Sequence, residues 1–344
     1  MAKSSISSAI RLFLAVLVLG GTAVGATKKR SAPSKTSAGK NSAKSQKKPS
    51  PQVAAKPAPK PAPKPAPEPV PLAPGELPLN ARSAILLDSK TGDVLYEKNP
   101  DELEYPASAT KILTALLIIE AGKLDSMVTI ELADTRVEPS ALEFKPGEQY
   151  PRKHLLFALL LKSANDVAIA LARDNAGSVG AFAEKMNRRA EALGAVASHF
   201  TNPHGLHDPH HFTTARDLAC IARAAMQHPL FREIVSTPEA AMARGAEWVV
   251  LKNHNKLLWM LAGCNGVKTG YTRAAQQVLV SSAVRAGREA ISVVMHTDRP
   301  GIWNDSKTLL EHGLEKLGAP PLQPEAAPPP GVEKPPVAQG PAGP

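Results

Sequence analysis

Hydrophobic and polar positions change period along the chain, and the changes mark its elements. In "SAILLDSKTGDVLYEKN" two short β-rich runs, Ala84 to Leu87 and Val94 to Glu97, flank a polar turn containing Gly92, which predicts a hairpin. From Pro106 to about Pro229 the pattern is mostly helical, through "SATKILTALLIIEAGKL", "RKHLLFALLLKSANDVAIALARDNAG", "VGAFAEKMNRRAEALG" and "TARDLACIARAAMQH". The last three carry polar faces. The first is apolar on almost every side from Ile112 to Ile119, and so predicts a helix through the interior. After residue 245 the β pattern returns as "NGVKTGYT", "QVLVSSAV" and "EAISVVMHT", and "WNDSKTLLEHGLEKLG" reads as a closing helix. Two early and three late strands unite most simply in one sheet. The expected fold class is α/β of the α+β kind, an antiparallel five-stranded sheet with flanking helices and an inserted, mainly helical subdomain.

The ends read differently. Residues 1–26 have a cationic start (Lys3, Arg11), an apolar run from Leu12 to Leu19 and small residues Val24 and Ala26 suited to a cleavage site. This is the pattern of a secretory signal peptide, with an uncleaved anchor as the alternative. Residues 27–76 form an expected Lys/Pro/Ala-rich linker, in which the repeated Lys-Pro-Ala-Pro units favour an extended spacer and nothing can build a core. The folded body is expected over 77–318. The tail 319–344, with ten prolines, reads as disordered, and no apolar periodicity in it predicts an amphipathic anchor.

Charge sharpens this division. The net charge is +10, yet thirteen of the 41 basic residues precede Pro71 against one of the 31 acidic residues, leaving 28 basic and 30 acidic residues from there onward. The body is close to neutral, so no nucleic-acid partner is indicated. The basic linker reads either as a solvated tether or as a segment attracted to anionic envelope polymers. Cys220 and Cys264 are the only cysteines; isolated thiols are the expectation over a disulfide. No zinc or haem spacing is present, and no cofactor is implied.

Three short motifs carry candidate chemistry. In "YPASATKIL", Pro106 suits a helix start and places Ser108 and Lys111 three apart on one face. A serine hydroxyl needs a base, and a lysine serves only if its pKa falls from about 10.4, which burial and a neighbouring cation bring about. Ser-x-x-Lys alone is a weak signal; Ser37 with Lys40 and Ser45 with Lys48 repeat it in the linker. In "LLLKSANDVAIALA", Ser163 and Asn165 suit either proton relay and amide binding or a local cap with Asp166. The tripeptide Lys-Thr-Gly occurs twice. Lys90 to Gly92 reads as the hairpin turn, whereas Lys268, Thr269 and Gly270 lie on or beside a strand, where a cation could meet a carboxylate and also depress Lys111.

In this order the three motifs are those of penicillin-binding proteins and β-lactamases. From about Arg82 to about Gly318 the chain resembles the low-molecular-mass penicillin-binding proteins, specifically the D-alanyl-D-alanine carboxypeptidase family. The likeness rests on "LDSKTGDVLYEKN", "YPASATKILTALL", "LLKSANDVA", "FTNPHGLHDPHHFTTARDLA", "NHNKLL" and "GVKTGYT". The resemblance implies a β-lactamase/transpeptidase-like fold and an exported, periplasmic or envelope-associated enzyme. Ser108 would attack the D-Ala-D-Ala bond of peptidoglycan stem peptides, Lys111 would be the base, and backbone N–H groups of Ser108 and Tyr271 would hold the oxyanion. Ser163 would pass a proton to the leaving amine, Asn165 would hold substrate, and Lys268 with Thr269 would bind the carboxylate. It implies β-lactam antibiotics as covalent inhibitors. His204 in "NPHGL" is open between loop structure and substrate contact, and His254 in "NHNKLL" stands where some members have an arginine. The alternatives are a D,D-endopeptidase, a β-lactamase, disfavoured because no Glu-x-x-x-Asn run lies between Ser163 and Lys268, and a non-catalytic wall-binding protein.

Overall fold

A computed structural model describes residues 75–245 and 247–321. The readings of residues 1–74 and 322–344, which take in the signal segment, almost all of the linker and most of the tail, lie outside the described residues. In chain order, β1 (Ser83–Asp88) and β2 (Val94–Lys98) precede a 3-10 turn (Ala107–Thr110) that runs into α1 (Lys111–Ala121). Then come β3 (Met127–Thr129), β4 (Gln149–Pro151), α2 (Arg152–Leu161), α3 (Asn165–Ala176), α4 (Val179–Ala192), α5 (Ala215–Met226) and α6 (Pro229–Ser236). A hairpin of β5 (Glu239–Arg244) and β6 (Glu247–Lys252) and the short α7 (Leu257–Met260) lead to β7 (Cys264–Thr272), β8 (Gln276–Arg285), β9 (Arg288–Thr297) and α8 (Arg299–Lys316).

The main sheet is antiparallel with strand order β2-β1-β9-β8-β7, so the first and last parts of the chain meet at its centre and the helical middle is an insertion, as the pattern predicts. Register explains what faces what. Lys268 pairs with Val280, Val280 with Val293 and Val293 with Ile85, so these four side chains line one face. That face packs on the helical insertion in one core with Ile112, Leu116 and Ile221. The opposite face, with Leu86, Leu279 and Val294, is covered by Leu309, Leu310 and Leu314 of α8. Alternation along β7 therefore sends Lys268 and Gly270 toward the helices.

Helix starts follow ordinary capping: Ser178, Thr214 and Asp298 accept backbone N–H bonds at the heads of α4, α5 and α8. α1 is interior, with seven of its eleven residues buried. Two features depart from the sequence pattern. The stretch before Pro229 contains the β3–β4 pair, whose three-residue strands are too short to show a period. The β5–β6 hairpin begins before residue 245, because alanine-rich "EAAMAR" has little strand propensity of its own and is held by pairing to "EWVVLK". Both cysteines are free and half-buried. No helix among the described residues is long and apolar enough to cross a membrane.

Candidate active site

The site forms where the helical insertion meets the edge strand β7. Ser108 lies in the 3-10 turn, and the α-helix begins only at Lys111, one turn later than a continuous helix from Pro106 would give. The tighter geometry serves the pair, since residues three apart eclipse in a 3-10 turn. Lys111 Nζ stands 3.0 Å from Ser108 Oγ.

Lys111 is fully buried and donates to two carbonyl oxygens, Asn165 Oδ1 at 2.7 Å and the His204 backbone at 2.7 Å. Burial pushes its pKa well below the ordinary lysine value and nearby Lys268 pushes it further, while Asp166 acts in the opposite sense. Asp166 is itself buried. Its carboxylate accepts backbone N–H bonds from Val167 and Leu142, so it serves the adjoining loop and forms no ion pair with the lysine.

Ser163 sits in the break between α2 and α3 at φ +60°, a left-handed conformation that is costly for serine and concentrates at functional sites. The twist turns its hydroxyl toward β7, where Lys268 Nζ donates to it at 3.1 Å. Lys268 is 1% exposed, and burial lowers its pKa to about 7. Its second bond goes to the carbonyl of Thr269 at 3.0 Å. Asn165 opens α3, and its carboxamide is engaged at both ends, Oδ1 by Lys111 and Nδ2 by the Pro139 carbonyl at 2.6 Å. Neither Ser163 nor Asn165 caps α3, and Asn165 orients the lysine rather than facing open space.

Gly270 has a structural use of its own. A Cβ there would stand 3.0 Å from Ser108 N and 3.1 Å from both Ala107 Cβ and the Pro106 carbonyl, so only glycine lets β7 pass this close to the 3-10 turn. Tyr271 follows on the strand edge and is 58% exposed. Half-buried Thr269 lies between Lys268 and Gly270 in sequence order, opposite Leu279.

The two histidines separate. His204 contributes its carbonyl to Lys111, while its ring accepts a bond from Leu206 N at 3.1 Å inside its own loop; burial first, then Lys111, lower its pKa to about 3. His254 stands at the rim, open to solvent on one side and walled by protein on the other. Its pKa falls to about 4, first by desolvation and then in the field of Lys268, Lys162 and Lys111. The other Lys-Thr-Gly is the β1–β2 turn: Lys90 is exposed, Gly92 has φ +84° and Thr91 Oγ1 donates to Asp93. Sequence reasoning missed Thr110, the last residue of the 3-10 turn, and His211, buried against it, because nothing distinguishes His211 from its neighbours in "HDPHHF".

A serine and a desolvated lysine on a helix head, a Ser-x-Asn break and an edge-strand Lys-Thr-Gly, framed by this sheet, define the penicillin-binding and DD-transpeptidase class of fold. The D-alanyl-D-alanine carboxypeptidase family model matches residues 71–299, and the chain belongs to that family, and with it to the serine-type peptidase hydrolases. Among curated relatives, D-alanyl-D-alanine carboxypeptidase DacB2 of Mycobacterium tuberculosis is 36% identical over 68% of this chain and 82% of its own length. D-alanyl-D-alanine carboxypeptidase DacF of Bacillus subtilis is 35% identical, over 72% of this chain and 65% of its own length. A D-alanyl-D-alanine endopeptidase of Pseudomonas aeruginosa is 33% identical over 60% of this chain and 68% of its own length. The chain thus spans about two thirds of the length of several relatives. Among solved structures, a D-alanyl-D-alanine carboxypeptidase from Mycobacterium tuberculosis superposes with TM-score 0.67 at 35% identity, covering 73% of this chain and 96% of that one. The Streptomyces K15 DD-transpeptidase gives TM-score 0.67 at 30% identity, covering 70% and 99%.

Proposed function

We propose that this protein is a serine D-alanyl-D-alanine carboxypeptidase that removes the terminal D-alanine from peptidoglycan stem pentapeptides through an acyl-enzyme on Ser108. One observation carries the reading: Lys111 Nζ touches Ser108 Oγ at 3.0 Å while two carbonyl oxygens occupy its other directions. A neutral amine has two N–H groups and one lone pair. The carbonyls of Asn165 and His204 accept the two N–H bonds, and the lone pair is left for the only partner that can give up a proton, the Ser108 hydroxyl. Burial and the neighbouring Lys268 favour that neutral state.

Ser108 Oγ attacks the carbonyl of the penultimate D-alanine as its proton passes to Lys111. The developing oxyanion is held by the backbone N–H groups of Ser108 and Tyr271. The C–N bond breaks, and the departing D-alanine amine takes the proton that Lys111 accepted, passed on through Ser163, which Lys268 orients, so that Lys111 is neutral again. Thr269 and Lys268 supply the hydroxyl and positive field for the substrate carboxylate, with His254 at the rim. Water then gives a proton to Lys111 as it attacks the ester, and Lys111 returns that proton to Ser108 Oγ as the acyl–oxygen bond breaks. A β-lactam opened by Ser108 would stop at the acyl stage, which is the basis of covalent inhibition. The export signal, a periplasmic or envelope location and the attraction of residues 27–70 to anionic envelope polymers belong to this proposal.

The test is mass spectrometry of the protein after penicillin treatment, with the adduct expected on Ser108 and absent from a folded Ser108→Ala variant that also releases no D-alanine. A folded Ser108→Ala protein with full activity would sink the mechanism. The relative named an endopeptidase supports a second reading, cleavage of cross-links by the same residues. Purified peptidoglycan separates the two: free D-alanine marks the carboxypeptidase, and loss of cross-linked dimers marks the endopeptidase.

A further inference from the structure

We infer that His211 is a positioning residue that aims the Ser108 backbone N–H at the oxyanion, acting through Thr110 and the Ala107 carbonyl. The inference rests on the acyl-transfer reading above.

His211 comes from the segment ahead of α5 and is 2% exposed. Its tautomer follows from its partners. Thr201 N donates to Nδ1 at 3.1 Å, which leaves Nδ1 as the acceptor and puts the proton on Nε2. Burial holds the ring neutral by lowering its pKa to about 4. Nε2–H lies 2.8 Å from Thr110 Oγ1 and donates to it, and the threonine hydroxyl donates in turn to the Ala107 carbonyl at 2.8 Å. The direction of the chain is therefore fixed from the Thr201 amide to the Ala107 oxygen.

That oxygen is one end of the peptide group whose other end is the Ser108 N–H. The Ala107–Ser108 bond is trans, so the two point in opposite directions within one plane, and fixing the oxygen fixes the N–H. The plane needs holding, because Ala107 has φ +47°, an unfavourable conformation for alanine. A second contact closes the same oxygen in: a Cβ on Gly205 would stand 1.8 Å from it, so the "NPHGL" loop lies flat against this carbonyl. On the opposite side β7 runs past Ser108 N at Gly270. The Ser108 N–H thus faces the groove beside β7, and its aim is set from behind by a buried neutral histidine that never meets the substrate.

The experiment compares full-chain wild type with His211→Ala, His211→Gln, Thr110→Val and the His211→Ala/Thr110→Val double variant. A soluble peptide ending in D-Ala-D-Ala reports kcat and KM, penicillin reports the acylation rate, and thermal melting is run in parallel. His211→Ala and Thr110→Val should each lower kcat and the acylation rate by about 10- to 100-fold with little change in KM, short of the loss from deleting an oxyanion donor. The double variant should be no worse than the poorer single one, because both cut the same chain. His211→Gln, which can still offer an N–H to Thr110, should recover most of the rate. A readout free of catalysis is the Ser108 amide NMR resonance, which should shift in Thr110→Val, an isosteric change that preserves the packing if the histidine variants fail to fold. Wild-type kcat in folded Thr110→Val, multiplying losses in the double variant, no rescue by glutamine, or an unmoved Ser108 amide would each overturn the inference. Wild type that neither binds penicillin covalently nor releases D-alanine would instead defeat the acyl-transfer reading, and the amide resonance would still judge the positioning.

Discussion

Gly270→Ala tests the geometry of the site with a single methyl group. The glycine does not adopt a left-handed φ, so alanine meets no backbone strain there. What it meets is the nucleophile turn: Ser108 N at 3.0 Å, Ala107 Cβ at 3.1 Å and the Pro106 carbonyl at 3.1 Å. Two of the three atoms are backbone, and the third is fixed to it, so no flexible side chain can swing away. Ordinary contacts begin a few tenths of an ångström farther out, so β7 and the turn must separate by about that much. Overpacking of this kind costs on the order of 1–3 kcal/mol of stability. The kinetic effect is larger in kind. Ser108 Oγ and N–H move together away from Lys111 and from Tyr271, and displacements approaching an ångström cost about 100-fold, which sets an expected loss in kcat of roughly 10- to 100-fold. D-alanine release from a soluble peptide and the rate of penicillin acylation measure it, with thermal melting as the control for folding. Gly180→Ala is the matched comparison, since nothing lies within 4 Å of a Cβ there and the residue is in α4; it should leave kcat unchanged and stability equal or better. If glycine served only to make room for substrate, KM would rise and penicillin acylation would suffer no more than binding. Wild-type kcat and acylation rate in folded Gly270→Ala would refute the reasoning.

Three other outcomes follow from the same contacts. Asn165→Asp puts a carboxylate where Oδ1 now stands 2.7 Å from Lys111 Nζ; it should hold the lysine charged, lower kcat at neutral pH and move the rising limb of the rate–pH profile to higher pH by about 1–3 units, and an unmoved limb would refute Lys111 as the base. Lys268 is protonated in both folded and unfolded chains below about 7, loses its proton only in the folded chain as pH rises from there toward 10.5, and so adds stability over that window; Lys268→Met should gain most over wild type near pH 6, with the gap in urea midpoint closing by pH 10, and a constant gap would contradict the burial cost. Deleting residues 27–70 should leave soluble-peptide cleavage at the full-length rate while weakening sedimentation with wall sacculi, most at low salt, and loss of that cleavage in a folded protein would show that the linker serves the catalytic body.

Much of the fold was legible because its signals are periodic. The strands of the main sheet alternate or run continuously apolar, and the stretch Ile112 to Ile119, apolar on almost every side, points to the interior. Two hairpins were not legible: β3 and β4 have three residues each, and β5 is rich in alanine, so tertiary pairing rather than local preference makes them strands. At the site, order and spacing singled out Ser108, Lys111, Ser163, Asn165 and Lys268, which the fold brings into contact or into one another's field. The directions of those contacts were hidden. Nothing in "SAND" says that the asparagine faces inward to the lysine, since that depends on the left-handed turn at Ser163. His211 was hidden for a related reason: a supporting residue touches only other protein groups, and its partners lie 10 and 101 residues away.

The chemistry of the site depends as much on an absent partner as on the residues present. A buried lysine next to a carboxylate stays charged, and a charged lysine is no base. Lys111 and Lys268 are both buried on the sheet face that meets the helical insertion, and neither has an ion-pair partner among the described residues. Their N–H bonds go to neutral oxygens, Asn165 Oδ1 and the His204 carbonyl for one lysine, Ser163 and the Thr269 carbonyl for the other. Such acceptors satisfy N–H groups without stabilising positive charge as a carboxylate does. The one acid in range, Asp166, is turned to the backbone N–H groups of Val167 and Leu142, and it thereby fixes the loop on which Asn165 rests. Two lysines so placed raise the cost of protonating one another. On the proposed mechanism, solvation is what makes Lys111 a base: a strand edge, a helix head and a helix break together bury two amines beside Ser108, which is itself only half-buried.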